Sequence, residues 1–347
     1  MTASRAVLPA LLAMAIPGAV QTQNFPAAVS SETQKLLFHV SAAPSLRQGL
    51  HSLQRRARGA KIVKLRVFVA AEVDPGSVPG IVQEAFRKHG QTLPALSAIR
   101  VGALTQGAQA VWESVAVAKK AINPHGLAFI SGQAVSLQTQ TTQMAPLTEK
   151  SLAHLSSALK AVGLESRDVL RATCFMTSLE DIGAVRRLVE AQYPNAALNY
   201  VQLQRSPARS IVECEAVARL RSVPGRSLQL VNPEDLPKSP NYSQIALVGA
   251  PRLIFSGAHL APGFEEADAR QVFKKLQHSL EQAGASIRWV AMSNLYPVSQ
   301  PAADLVRKTR FEFYDQTRPP ASTLLLYEGL PAKEASFGVD VVAITAQ

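Results

Sequence analysis

One pattern recurs three times along this 347-residue chain, and a repeat of that size restricts the fold more than any single motif. Three strand-like runs open three similar stretches: Leu36–Val40, Leu127–Gly132 and Leu253–Gly257. An amphipathic helical pattern follows each. Apolar residues recur at three- to four-residue steps in Leu46, Leu50, Leu53 and Ala57, in Leu152, Leu155, Leu159 and Val162, and in Val272, Leu276, Leu280 and Ala283. Gly59, Gly163 and Gly284 stand at the ends of these patterns, where a helix stop is expected. A strand comes next (Ile62–Val69, Val169–Met176, Val290–Tyr296), then a second helix around 78–89, 182–193 and 302–314. Two strands close each unit: Ala95–Val101 with Gln109–Ala118, Ala197–Leu203 with Ser210–Leu220, and Ser322–Tyr327 with Ser336–Thr345. Phe68 and Phe175 lie 107 residues apart, and Phe175 and Tyr296 lie 121 apart. That period is a domain rather than a solenoid unit. The expectation is a helix-covered sheet formed three times, with domains at 26–120 (the most degenerate), 121–225 and 226–347.

Apolar residues make up 47% of the chain, enough for real cores. An uncharged run, Ala6–Val20, follows Arg5 and gives way to polar residues from Gln21. Fifteen residues is short of the ~20 needed to span a bilayer. The order of charge, apolar run and polar residues predicts a secretory leader over 1–25, and with it a periplasmic or secreted protein. Pro9 and Pro17 interrupt the run, and the other reading is a disordered leader on a cytoplasmic protein. Cys174 and Cys214 are too few for a disulfide framework and read as small buried hydrophobes. The seven histidines have no metal-ligand spacing, so neither metal nor organic cofactor is expected. The net charge of +11 is uneven. Residues 26–123 hold thirteen Lys/Arg against five Asp/Glu, whereas 226–347 hold twelve of each. The excess gathers at Arg47, Arg55, Arg56, Arg58, Lys61, Lys64 and Arg66, read as a solvated face. No aromatic residues interleave with it to stack bases, so nucleic acid is not the expected partner.

The third stretch carries Tyr242-Ser243-Gln244, Phe255-Ser256-Gly257, Gln282–Ser286, Pro319–Leu324, Glu328–Pro331 and Ala335–Ile344. The second repeats Phe129–Gln133, Ala161-Val162-Gly163 and Val212–Ala218, and the first keeps only Pro94-Ala95 and Trp112–Ala116 beyond the periodicity. As a set these resemble the RidA/YjgF family, in three divergent tandem copies. The resemblance implies an α/β (α+β) fold of chorismate-mutase-like domains, set about a pseudo-threefold axis as a single-chain imitation of the family's trimer. A monomer follows, since three fused copies already close the symmetry. It also implies small clefts between neighbouring copies, and hydrolysis of reactive enamines and imines to keto acids without metal or organic cofactor.

Family members clamp a substrate carboxylate with an arginine on the Pro-Ala strand, and an acid on the last strand positions or activates water. Here the acid position reads Glu113, Glu215 and Asp340, and the arginine position reads Leu96, Leu198 and Ser322. Loss of two charge-assisted hydrogen bonds, at about 1.5–3 kcal/mol each, weakens carboxylate binding roughly 10²–10⁴-fold. Arg186 and Arg307, on the second helices, either return that charge to a cleft or face solvent. Ser131, Gly132, Ser256 and Gly257 occupy strand exits that offer backbone groups to ligand in the family, and Tyr242 opens the third copy's motif. The acids, too, can sit on an ordinary polar strand face. Two functions follow: a divergent hydrolase of a small enamine, imine or related nitrogen-containing metabolite, or a non-catalytic small-ligand binding or scaffold protein that kept the trimer-like fold. Contact with RNA through the basic first copy is a weaker third, since some family members have been described as ribonucleases.

Overall fold

The computed structural model describes residues 24–345, so the apolar run Ala6–Val20 lies outside the described residues. In chain order the first copy comprises β1 (Ala28–Glu32), β2 (Leu36–Ala43), α1 (Leu46–Ala57), β3 (Lys61–Val69), α2 (Val78–Lys88), β4 (Ala95–Arg100), β5 (Ala103–Leu104) and β6 (Ala110–Val117). The second has β7 (Leu127–Leu137), α3 (Ala145–Ala161), β8 (Val169–Met176), α4 (Ile182–Gln192), β9 (Ala197–Gln202) and β10 (Ser210–Arg219). The third has β11 (Leu228–Val231), β12 (Ile245–Val248), β13 (Arg252–Ser256), β14 (His259–Leu260), α5 (Glu266–Gln282), β15 (Ala285–Pro297), α6 (Gln300–Arg310), β16 (Ala321–Leu324) and β17 (Phe337–Thr345).

Each copy builds the same four-stranded sheet. The orders are β2-β6-β3-β4, β7-β10-β8-β9 and β13-β17-β15-β16. In each, the last pair is parallel and joined through a helix (β3 with β4, β8 with β9, β15 with β16), while the other pairings are antiparallel. A parallel pair requires a crossover, which α2, α4 and α6 supply. The chain is thus a mixed α and β protein of three repeated units. The helices cover one face of each sheet. Leu50, Leu53, Val82 and Phe86 pack on Trp112 in the first copy, Leu155, Leu159 and Val189 on Val212 in the second, and Phe273, Leu276 and Val306 on Val339 in the third.

The inner faces meet in two clusters to which all three copies contribute. Phe129, Phe255, Val115, Val217 and Val342 belong to one. Phe68, Phe175, Tyr296 and Tyr327 form the other, with the Phe68 and Phe175 ring centroids 5.7 Å apart. Because Phe68, Phe175 and Tyr296 are matched positions of the three copies, their meeting marks the pseudo-threefold axis.

The sheets also exchange edges, which the repeat pattern does not foretell. β1, the first strand among the described residues, pairs with β13 of the third copy (Val29 opposite Phe255). The β11–β12 hairpin that opens the third copy pairs with β7 of the second (Ile245 opposite Ile130). At the far edge of that sheet, β5 of the first copy pairs with β9. Each borrowed strand covers an edge that would otherwise present unpaired backbone groups.

Two sequence expectations change here. Cys174 and Cys214 are buried as expected, but they lie directly opposite each other on β8 and β10 and are joined in a disulfide. The basic cluster is divided: Arg55, Arg56 and Arg58 lie at the exposed end of α1 and Arg47 pairs with Glu84, while Lys64 and Arg66 point into the protein and are buried. Alternation along β3 turns every second residue inward, and both cations are on that face. Among the described residues no helix is long and apolar enough to cross a membrane.

Candidate functional site

Between the two shared apolar clusters lies a charged layer. It holds Glu113, Glu215 and Asp340, each about 1% exposed. They are matched positions, since Glu113 opposes Arg66 on β3, Glu215 opposes Thr173 on β8, and Asp340 opposes Asn294 on β15. Arg66 bridges two of them, Nε to Glu113 Oε2 at 2.7 Å and Nη2 to Glu215 Oε1 at 2.5 Å. Lys64 Nζ donates to Asp340 Oδ2 at 3.0 Å, and Arg171 adds longer contacts of 3.4 Å to Glu113 and Glu215. Each acid also accepts from the closing strand of a neighbouring copy: Glu113 from Asn199, Glu215 from Thr323, and Asp340 from Ser97. Those three donors are matched positions too, so the layer is a cyclic weld between copies.

Burial by itself would raise the Glu113 carboxyl, but Arg66 and Arg171 outweigh it and pull it down to about 2. Burial opposes ionisation of Asp340 as well, yet Lys64 holds its carboxyl below the usual range. The hollow beside this layer measures about 30 Å³, too small for an organic substrate. The sequence expectation that these acids face the clefts is therefore corrected. Their partners are buried cations of the core, and they point to the axis.

The acid that does reach a cleft is Glu213, two residues before Glu215 on the same face of β10. A cavity of about 720 Å³ opens between the second and third copies. Its walls include Gly132 and Ala134 of β7, Ile211 and Glu213 of β10, Tyr242 of the segment before β12, Arg307 and Arg310 of α6, and Ser322 and Leu324 of β16. Leu203 to Arg209, between β9 and β10, supplies one rim. Gly132 makes the acid's position possible: a methyl group there would overlap the Glu213 carboxyl. Glu213 is 6% exposed and forms no ion pair among the described residues. Burial, reinforced by the negative charge of Glu215, raises its carboxyl to about 8, so near neutral pH it is a carboxylic acid rather than a carboxylate. Tyr242 stands near both Glu213 and Arg310, and burial raises its hydroxyl as well.

The other expected residues fall in different places. Ser131 is fully buried and knits the two copies together. Its Oγ donates to the Ser243 carbonyl at 2.6 Å and accepts from the Ser322 backbone N–H at 2.8 Å. Ser256 is turned inward, its Oγ accepting from Val341 N–H and its carbonyl accepting from Lys64. The strand exit after it is sealed against the first copy, with Gly257 N–H on the Ala27 carbonyl and Ala258 N–H on the Leu96 carbonyl at 3.0 Å. Arg186 pairs with Glu190 on α4 and lies over the Tyr200 ring; it is not part of this cavity's wall. Arg307 does line the cavity, half-exposed and paired with Asp304 at 2.8 Å. Among the described residues, no group of three or more His, Cys, Asp and Glu side chains is placed to hold a metal ion.

Arg310 is the residue that sequence reasoning passed over. It is 3% exposed, and its guanidinium reaches Ser322 Oγ at 3.4 Å and the Asn241 carbonyl at 2.6 Å. Ser322 occupies the position where the resemblance calls for an arginine, so a guanidinium from α6 now stands beside that vacated place. A signal existed. Ala302, Val306 and Arg310 follow one another at four-residue steps on the buried stripe of α6.

The family model described as Endoribonuclease L-PSP matches residues 113–223, which run from the end of the first copy through the second. No curated protein matches the chain. Among solved structures, a protein of unknown function of the conserved Rid family from Yersinia pestis is 19% identical, over 34% of this chain and 99% of its own, with a TM-score of 0.32. A YjgF-family protein from Neisseria meningitidis is 15% identical, over 35% and 99%, with a TM-score of 0.26. A member of the YjgF/YER057c/UK114 family from Mycobacterium tuberculosis is 18% identical, over 34% and 100%, with a TM-score of 0.25.

Proposed function

We propose, from the match of residues 113–223 to the Endoribonuclease L-PSP family model and the RidA/YjgF-like motifs of the repeats, that the chain hydrolyses a small enamine, imine or related nitrogen-containing metabolite in the cleft between its second and third copies. One observation carries this reading: Glu213, a buried carboxyl held mostly protonated near neutral pH, faces a cavity large enough for a metabolite. A general acid–base works best when its pKa lies near the working pH. In the protonated form Glu213 donates to the substrate nitrogen as water adds to the carbon of the C=N bond. The resulting carboxylate then takes the proton that the added water must lose. Collapse of the carbinolamine expels ammonia and leaves the carbonyl product, so one water is consumed for each ammonia released. Tyr242, beside Glu213, is placed to orient the attacking water or the substrate. The buried Cys174–Cys214 disulfide fits an oxidising compartment and supports the reading that the protein is exported.

The test is release of ammonia and carbonyl product from imines generated in situ, for the intact chain and for Glu213→Gln. The expected loss is ~10²–10⁴-fold in turnover, the usual weight of a positioned acid or base. Equal rates for the two proteins would remove Glu213 from the chemistry. Ligand-induced stabilisation without turnover of any imine would instead support the binding-only alternative.

A further inference from the structure

We infer that Arg310 anchors an anionic group of the ligand and that the cleft is built for a small organic molecule carrying two negative charges; this rests on the cleft being the ligand site. Three observations lead there. First, Arg310 is buried and forms no ion pair among the described residues. A guanidinium has five N–H donors, and protein atoms occupy two of them here, one at the long distance of 3.4 Å. Its Nε is buried without a partner. An isolated buried cation is expensive, so a site that keeps one without a carboxylate is arranged for a counter-charge from outside the chain. Burial in fact lowers the Arg310 guanidinium, to about 10, which leaves it charged at neutral pH.

Second, Arg310 is accompanied. Arg307 lies one turn earlier on α6 and lines the same cavity, as does the exposed Arg209. Residues three apart on a helix have Cβ atoms about 5–6 Å apart, a separation that a short chain with an anionic group at each end can span. Third, the carboxyl on this wall is neutral near pH 7. Glu213 faces its strand neighbour Glu215, Tyr242 from the segment before β12, and Tyr327 from beyond β16. None of those groups is a cation that would ionise it. Glu213 thus does not cancel Arg310 or Arg209, and among the described residues Arg307 meets only the exposed Asp304. Guanidinium groups also match both carboxylate and phosphate geometry, so either chemistry can supply the two charges.

Titration calorimetry and thermal shift on the full chain at pH 7, at concentrations up to about 10 mM, test this with succinate, glycerol 3-phosphate and butyrate as probes. At least one of the two dianions is expected to bind about tenfold or more tightly than butyrate, in keeping with one added charge-assisted contact. Preference for succinate assigns a dicarboxylate, and preference for glycerol 3-phosphate assigns a phosphate monoester. Arg310→Gln is expected to weaken the preferred dianion at least tenfold and Arg310→Lys less. Arg307→Gln is expected to narrow the gap to butyrate. Glu213→Gln, an uncharged replacement, should retain binding while losing turnover, which separates this inference from the catalytic reading. Equal binding of dianions and butyrate, no binding of either dianion, or unchanged affinity in a folded Arg310→Gln protein would overturn the assignment.

Discussion

Glu213 and Glu215 stand two residues apart on one face of β10, both buried, and their partners differ. Glu215 accepts from Arg66 at 2.5 Å and from Thr323 of the next copy, within a layer whose other acids are likewise paired with cations. Glu213 has no cation, touches the glycine wall of a cavity and is raised to about 8. In a low-dielectric setting the charge of a carboxyl is decided by its partners rather than by its residue type. The core uses its acids to join three copies. The cleft holds one acid with no cation beside it among the described residues, on the wall of an open cavity.

Two of the interfaces between copies differ in the same spirit. Between the second and third copies, the glycine at the strand exit leaves room for Glu213 and for a cavity of about 720 Å³. Between the third and first, the matching exit closes on Leu96 through a backbone hydrogen bond. One threefold pattern has therefore diverged into an interface that holds an open cavity and one that is closed.

The largest effect should come from the core. Arg66→Met leaves Glu113 and Glu215 without their shortest cation contacts, and a loss of about 3–5 kcal/mol in unfolding free energy is expected. Denaturant titration checks this, and a change under about 1 kcal/mol would mean that the charged layer is not what joins the copies. A smaller effect is expected on the opposite face of β10. There the Cys174–Cys214 disulfide closes a separation of 40 residues. Replacing both cysteines with serine should cost about 2–4 kcal/mol and leave dianion affinity unchanged, because the pair faces the helices rather than the cleft. An altered affinity would show that the two faces of β10 are coupled.

Much of this was legible in the sequence. The helical periodicity, the glycine stops and the closing strands placed three copies of one unit, and the resemblance pointed to clefts between copies; Gly132, Tyr242 and Ser322 line the cavity between the second and third. The exchange of β1 and the β11–β12 hairpin was not legible, because edge pairing depends on how the copies close in space. Nor could alternation separate Glu213 from Glu215. Both are on one face, and only the assembled copies show that part of that face meets the axis and part meets the cleft. Lys64 and Arg66 looked like members of a surface cluster for the same reason: their partners Asp340, Glu113 and Glu215 are remote in sequence. Arg310 could have been found by continuing the stripe of α6 one step past Val306, although a charged residue on a buried stripe reads first as the helix end.

The contrast between an acid of the core layer, Glu113, and the acid of the cleft, Glu213, can be measured directly. Glu113, at about 2 in the folded protein, lies below its unfolded value of 4.5, so its contribution to stability is present above pH 4.5 and fades as pH falls toward 2. Glu213 runs the other way. Its folded value of about 8 lies above the unfolded 4.5, so the native state binds the extra proton, and stability falls as pH rises from 4.5 to 8. Carbon-13 NMR of glutamate side-chain carboxyls, assigned by loss of one signal in Glu213→Gln, reads that titration in the intact chain. The account predicts a midpoint near 8 for Glu213, together with a fall in stability across pH 4.5–8 that the glutamine variant lacks. A Glu213 midpoint near 4.5, with the same pH–stability curve in both proteins, would contradict it.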